Sequence, residues 1–126
     1  MTKIVNSWND WDPLKRVIVG RADHSVIVPE EPATSEKVPV DSEMRGMWGP
    51  RPTATVEKAN EALDRLAKEL ESRGVKVDRP TPIQWNQAMG TPDFRVQSGQ
   101  TQMPPRDILL TMGNEIMASA NSFLFR

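Results

Sequence analysis

The clearest periodicity in the chain begins at Thr53, where Val56, Ala59, Leu63, Leu66 and Leu70 recur at steps of three and four residues. That spacing lays one apolar stripe along an α-helix. Thr53 or Thr55 is placed to cap its start, Glu57 and Glu61 suit its positive end, and Gly74 supplies the stop. Upstream, Val17-Ile18-Val19 is a β-branched run closed by Gly20, which predicts a buried strand within residues 14–20. The alternating Val75-Lys76-Val77-Asp78, stopped by Pro80, predicts a second strand directly after the helix. A helix joined to a strand by one glycine is a compact αβ unit. Farther on, Ile108 to Met112 and Glu115 to Met117 flank the turn dipeptide Gly113-Asn114, which predicts two strands joined by a tight hairpin turn.

The remaining segments carry little period. Residues 23–52 hold five prolines and several charges, so they read as a long irregular loop with one short strand at Val26 to Val28. The stretch SWNDWDP, residues 7–13, reads as a turn whose two indoles pack over the end of the first strand. The resulting order is strand, long loop, helix, strand, loop, strand, strand, an α/β pattern with no internal repeat.

Composition narrows the function. A chain of 126 residues is one domain with a modest core. Sixteen Lys and Arg against seventeen Asp and Glu give a net charge of -1, without the basic patch that a nucleic-acid binder needs. No stretch approaches the roughly 20 apolar residues of a membrane span, and the N-terminus MTKIVNSWNDWD has no apolar signal core, so a cytoplasmic protein with no membrane partner is expected. Cysteine is absent and His24 is the lone histidine. Thiolate chemistry, a histidine triad and a histidine-rich metal site therefore cannot be built from this chain.

Carboxylates remain as candidates for chemistry. Asp107 stands at the entrance of an apolar run on a loop stiffened by Pro104 and Pro105. A carboxylate held there can pair bidentately with a planar guanidinium, whose forked donors match its two oxygens. The competing reading makes Arg106 and Asp107 solvated residues that blunt a strand end or form a surface ion pair. Asp93, in Thr91-Pro92-Asp93, has turn chemistry as its alternative, and Glu115 can be a simple hairpin flank. The adjacent Asp23 and His24 form a pair that can tune an imidazole, and Trp48, between Gly46 and Gly49, suits a flap.

Taken together, VNSWNDWDPLKRVIVGRA, GVKVDRPTPIQW, TPDF and MPPRDILLTMGNEI resemble the N-terminal part of the amidinotransferases, the family of glycine amidinotransferase and inosamine-phosphate amidinotransferase. The likeness runs in order over most of the chain and is weak from about residue 23 to 47. It implies a pentein fold, an α/β propeller of ββαβ-type blades around a polar centre, with residues 1–126 forming one N-terminal segment that is incomplete as an isolated blade. The implied reaction moves the amidino group of L-arginine to an acceptor amine through a covalent cysteine intermediate, with His and Asp as acid-base partners and with neither cofactor nor metal.

Carried over by position, the aspartate of the family's Pro-Arg-Asp motif falls on Asp107, as the carboxylate that receives the arginine guanidinium. Asp93 is a second, weaker candidate. The family's catalytic Cys, His and Asp have no counterpart here, and Leu124 stands where an arginine is expected, so the resemblance implies a truncated, catalytically incomplete member. The alternative from a different class is a non-catalytic remnant or interaction module that pairs through exposed strand edges, with homo-oligomers as one outcome.

Overall fold

The computed structural model describes residues 4–28, 36, 38–93 and 95–118. The expectations for Leu124 and for the loop at 29–35 fall outside them. The chain runs β1 (Arg16–Ile18), β2 (Val26–Ile27), β3 (Gly49–Pro50), α1 (Thr53–Ser72), β4 (Lys76–Asp78), β5 (Met89–Gly90), β6 (Arg95–Val96), a 3-10 turn η1 (Pro105–Asp107), β7 (Leu109–Met112) and β8 (Glu115–Ala118). Among the described residues the strands form four separate pairs: β1 with β4 in parallel, and β2–β3, β5–β6 and β7–β8 antiparallel.

The β1–α1–β4 unit organises the rest. Parallel register sets Arg16 against Lys76, Val17 against Val77 and Ile18 against Asp78. Because successive strand side chains alternate in direction, Val17, Val19, Val75 and Val77 share one face and Arg16, Ile18, Lys76 and Asp78 the other. Arg79, two residues past Val77 on the first face, reaches Asp64 of α1 at 2.8 Å, which identifies that valine face as the one covered by the helix. Val19, Val75 and Ala67 are buried in this seam, and Ala22, Val26, Ile27 and Val28 extend it beneath the following loop. On the opposite face Arg16 spans to Asp78 with two parallel hydrogen bonds, Nε to Oδ2 at 2.5 Å and Nη2 to Oδ1 at 2.9 Å.

The helix begins and ends by backbone means. Its N-cap is Pro52, which offers no side-chain cap, and the Pro52 carbonyl accepts from the Thr55 and Val56 amides at 3.0 and 3.2 Å. Thr53 and Thr55 therefore lie inside the first turn instead of capping it. The first turn holds no acidic residue, which leaves Glu57 and Glu61 outside the reach of the helix's positive end. The glycine stop is as expected: Gly74 adopts φ +82°, its amide donates to Glu71 O at 2.9 Å, and Val75 donates to Leu70 O at 3.0 Å. These two bonds close a Schellman motif, which needs a residue in the left-handed region. Along the stripe, Val56, Ala59, Leu63 and Leu70 are part-buried, whereas Leu66 is exposed and Ala67 takes the innermost place.

The two ends of the long loop are joined, since Gly49–Pro50 pairs with Val26–Ile27 and Arg51 N–H donates to Ser25 O at 2.9 Å. Gly49 is thus a strand residue, and the segment around Trp48 is tied to β2 where a flap was expected. The Trp8 indole lies against Gly113 in the β7–β8 turn, and Trp11 is 83% exposed.

Candidate functional site

Beyond the carboxyl ends of β1 and β4, three loops converge: residues 19–25, 79–85 and 98–103. Val19 N–H donates to Asp78 O at 3.0 Å, so the parallel pairing continues one step past the strands. Arg21 N–H then donates to Gln102 O at 3.3 Å, Val26 N–H to Gln100 O at 2.8 Å and Gly99 N–H to Trp85 O at 3.0 Å. The Gln102 side-chain amide donates to Thr81 O at 3.0 Å, which ties the third loop to the second. Buried Ser25 completes the knot with two contacts from its hydroxyl, to Ala22 O at 2.6 Å and to Thr101 Oγ1 at 2.7 Å. The end of a parallel strand pair is where α/β proteins place ligand-binding groups, because loops leaving adjacent strands splay there.

Two glycines permit this convergence. A Cβ on Gly20 would collide with the backbone carbonyls of Gln102 and Met103, and one on Gly99 would meet the Trp85 ring. The helix joins through Asn60, whose Oδ1 accepts from the Ala22 amide at 2.8 Å. His24 has a φ of +56°, the one non-glycine residue in the left-handed region among the described residues. Its Nε2 is 3.2 Å from Gln84 Nε2, while Asp23 pairs with Arg21 at 3.1 Å. The Asp23–His24 couple expected from sequence is therefore not formed.

Asp107 follows directly from this anchored loop. Pro104 and Pro105 lead into η1, closed by Asp107 N–H to Pro104 O at 3.0 Å and Ile108 N–H to Pro105 O at 3.2 Å. The turn sets the Asp107 backbone four residues from Met103, whose carbonyl packs on Gly20. Its side chain is about half exposed, and Arg106 Nη1, on a side chain open to solvent, lies 3.7 Å from Oδ1. An ion pair of that length between exposed groups is weak. A rigid backbone carrying an accessible carboxylate is the arrangement that planar guanidinium recognition requires.

The other candidates stand apart from it. Asp93 lies in the turn between β5 and β6, where its amide donates to Thr91 Oγ1 at 3.3 Å. Glu115 opens β8 opposite Met112. Sequence reasoning missed Asn60, Ser25, Thr101 and Gln102, which hold the loops together. Gly20 had given a partial signal by closing an apolar run. Arg79 was also missed: Nη1 meets Asp64, and its Nε and Nη2 are buried without a hydrogen-bond partner among the described residues.

No protein-family model matches the chain. Curated relatives do. Over 121 residues it is 38% identical to the mitochondrial glycine amidinotransferase of Gallus gallus, covering 90% of this chain and 27% of that protein. It is 34% identical over 119 residues to the L-arginine:L-lysine amidinotransferase of Pseudomonas savastanoi pv. phaseolicola, covering 92% and 33%. Among solved structures it superposes on SxtG, an amidinotransferase from Microseira wollei in the saxitoxin biosynthetic pathway, with a TM-score of 0.78 at 33% identity, covering 91% of this chain and 34% of that one. The inosamine-phosphate amidinotransferase StrB1 of Streptomyces griseus gives 0.75 at 31% identity, again over 91% and 34%. The likeness to amidinotransferases read from the motifs thus extends over nine-tenths of the chain in sequence and in an α/β structure. The chain spans about a quarter to a third of the length of these relatives. No helix among the described residues is long and apolar enough to cross a membrane.

Proposed function

We propose that this chain supplies the guanidinium-receiving segment of an amidinotransferase, which moves the amidino group of L-arginine to an acceptor amine. The observation that carries the reading is Asp107, an accessible carboxylate on a 3-10 turn anchored beyond the ends of β1 and β4, in a chain similar over its length to amidinotransferases. In this reading β1, α1 and β4 belong to one ββαβ-type blade of an α/β propeller. Asp107 accepts paired N–H bonds from the guanidinium and fixes its plane, so that the central carbon is presented to a nucleophile. Asp93 is retained as a weaker second carboxylate.

The transfer has two half-reactions. A thiolate attacks the guanidinium carbon, and the carbon–nitrogen bond to the ornithine portion breaks as that nitrogen takes a proton, leaving an amidino thioether. The acceptor amine then attacks the same carbon and loses a proton while the carbon–sulfur bond breaks, restoring the thiolate. This chain holds no cysteine, so its share is binding and orientation, and the thiolate and its acid-base partners come from outside these residues.

The test is a graft. Residues 4–118 replace the matching segment of the Pseudomonas savastanoi relative, and the graft is compared with its Asp107→Asn and Asp107→Ala versions. Removing one partner of a buried, hydrogen-bonded charge pair costs about 2 to 5 kcal/mol, so the arginine KM should rise at least tenfold and kcat should fall. Unchanged arginine kinetics in both versions would take Asp107 out of the site.

A second reading, a non-catalytic module that pairs through strand edges, is favoured by the exposed apolar residues of β7 and β8. It expects concentration-dependent self-association in sedimentation velocity, with no effect of Asp107 on any arginine-dependent reaction.

A further inference from the structure

The Gln102 side chain is poorly accounted for by stability. Its Nε2 donates to Thr81 O at 3.0 Å, whereas its Oε1 is buried without a hydrogen-bond partner among the described residues. A buried acceptor left without a donor commonly loses more free energy than one hydrogen bond gains. Thr81 is exposed, so water can serve its carbonyl if the amide is removed. An apolar side chain of similar length at position 102 would therefore stabilise the fold at least as well. What the amide adds is a fixed position, because it braces the loop at 98–103 against the loop at 79–85.

The segment that follows gives that brace a use. Gln102 is the last residue ahead of η1 with a hydrogen bond to another loop, and its carbonyl also accepts from Arg21 N–H at 3.3 Å in the space that Gly20 leaves open. The Met103 amide turns back to Thr101 Oγ1 at 3.2 Å. Pro104 and Pro105 have φ fixed by their rings, and η1 is closed by bonds to the carbonyls of these two prolines. So stiff a path passes a shift at Gln102 on to Asp107 instead of absorbing it. We infer that Gln102 is a positioning residue for the Asp107 carboxylate: its amide, braced on Thr81, sets the plane in which that carboxylate meets a guanidinium. This rests on the role proposed above for Asp107. A carboxylate displaced together with its turn still attracts the guanidinium but no longer aims its central carbon, and a misplacement of about 1 Å costs about a hundredfold in rate. Loss of the brace therefore acts on kcat and spares the arginine KM.

The test places Gln102→Met and Gln102→Leu in the graft, since both keep the bulk of the side chain and remove its donor. Counted per reactive thiol, kcat should fall about tenfold or more, with the arginine KM within about threefold of the parent graft. The urea midpoint should be unchanged or higher, and amide exchange at Asp107 and Ile108 should quicken. Ser72→Ala removes an exposed side-chain bond to Glu69 O, 2.8 Å long, at the far end of α1. It should leave kcat and the exchange of both amides as they were. An unchanged kcat in the Gln102 variants, a raised KM with kcat preserved, or unchanged exchange at the two amides overturns the inference while Asp107 keeps its place in the site. Arginine kinetics unchanged by Asp107→Ala in the same graft defeat the proposed function, and this inference with it.

Discussion

Ser7 and Gly113 exchange two backbone hydrogen bonds, each 2.7 Å long, so the N-terminal segment is fastened to the turn of a hairpin more than a hundred residues away in sequence. The fastening depends on a bare Cα. Gly113 has φ +57°, and a Cβ built on it would approach the Trp8 ring at 3.1 Å. A left-handed L-residue costs roughly 1 to 2 kcal/mol, and the ring contact adds to that. Gly113→Ala should therefore destabilise the chain by about 1 to 2 kcal/mol in urea unfolding. Amide exchange at Ser7 should quicken while exchange along α1 stays slow.

Gly20→Ala should do more, because the colliding atoms are backbone carbonyls that cannot rotate away. Overpacking of this kind typically costs about 1 to 3 kcal/mol. The displaced loop leads into η1, so the same substitution in the graft should lower kcat/KM for arginine without touching the Asp107 carboxylate. A stability loss with unchanged arginine kinetics would show that the loop and the turn are mechanically independent.

The Arg16–Asp78 pair predicts an acid sensitivity. Its hydrogen bonds hold the Asp78 carboxyl below the ordinary aspartate range against a smaller opposing effect of burial, with the Arg16 and Lys76 charges adding less, and the same hydrogen bonds raise the Arg16 pKa. At low pH the unfolded chain binds the proton more readily than the folded one, so stability falls as the medium acidifies. The contribution is complete above the unfolded value of about 3.9 and is lost as pH drops through the lower, folded value. Urea midpoints of the wild type and Asp78→Asn should differ at pH 7 and converge as the pH falls below the unfolded value. A constant difference across that range would contradict the assignment.

Val26 has no exposed surface and sits in β2 against the loop at 98–103. Val26→Ala removes about two methylene equivalents at roughly 0.8 kcal/mol each, plus a cavity term. A loss of about 2 to 3 kcal/mol is expected in urea unfolding, whereas Val40→Ala in an exposed loop should change stability by under about 0.5 kcal/mol.

These residues also mark what the amino-acid order makes readable. Val56 to Leu70 announce the helix because a 3.6-residue period arises within one segment, and Gly74 announces its end because the left-handed stop is a local requirement. Gly113-Asn114 declares the hairpin for the same reason. β2 is readable in Val26 to Val28, but its partner β3 and the pair β5–β6 leave almost no trace. Gly49 and Pro50 belong to a strand only because Val26 and Ile27 lie beside them, which is a tertiary fact. Pro52 displaced the threonines as N-cap since a carbonyl serves the first turn whatever side chain precedes it. The place of Asp107 just ahead of β7 was readable from the apolar run that follows it, while the 3-10 turn that carries it was not. The knot of Ser25, Thr101, Gln102 and Asn60 was invisible, because each makes an unremarkable polar contact with a residue distant in sequence.

The parallel pairing of β1 with β4 has a temporal consequence. Arg16 and its partner Asp78 are 62 positions apart, and the intervening helix must form before the two strands can meet. At a synthesis rate of about 5 to 20 residues per second, β1 waits several seconds on the ribosome for its neighbour. The β7–β8 hairpin, closed by two residues, can form within about 10 microseconds of leaving the exit tunnel. Among the described strands, β1 is thus the one that waits longest for its partner, whereas β7 and β8 can pair almost as soon as both have emerged.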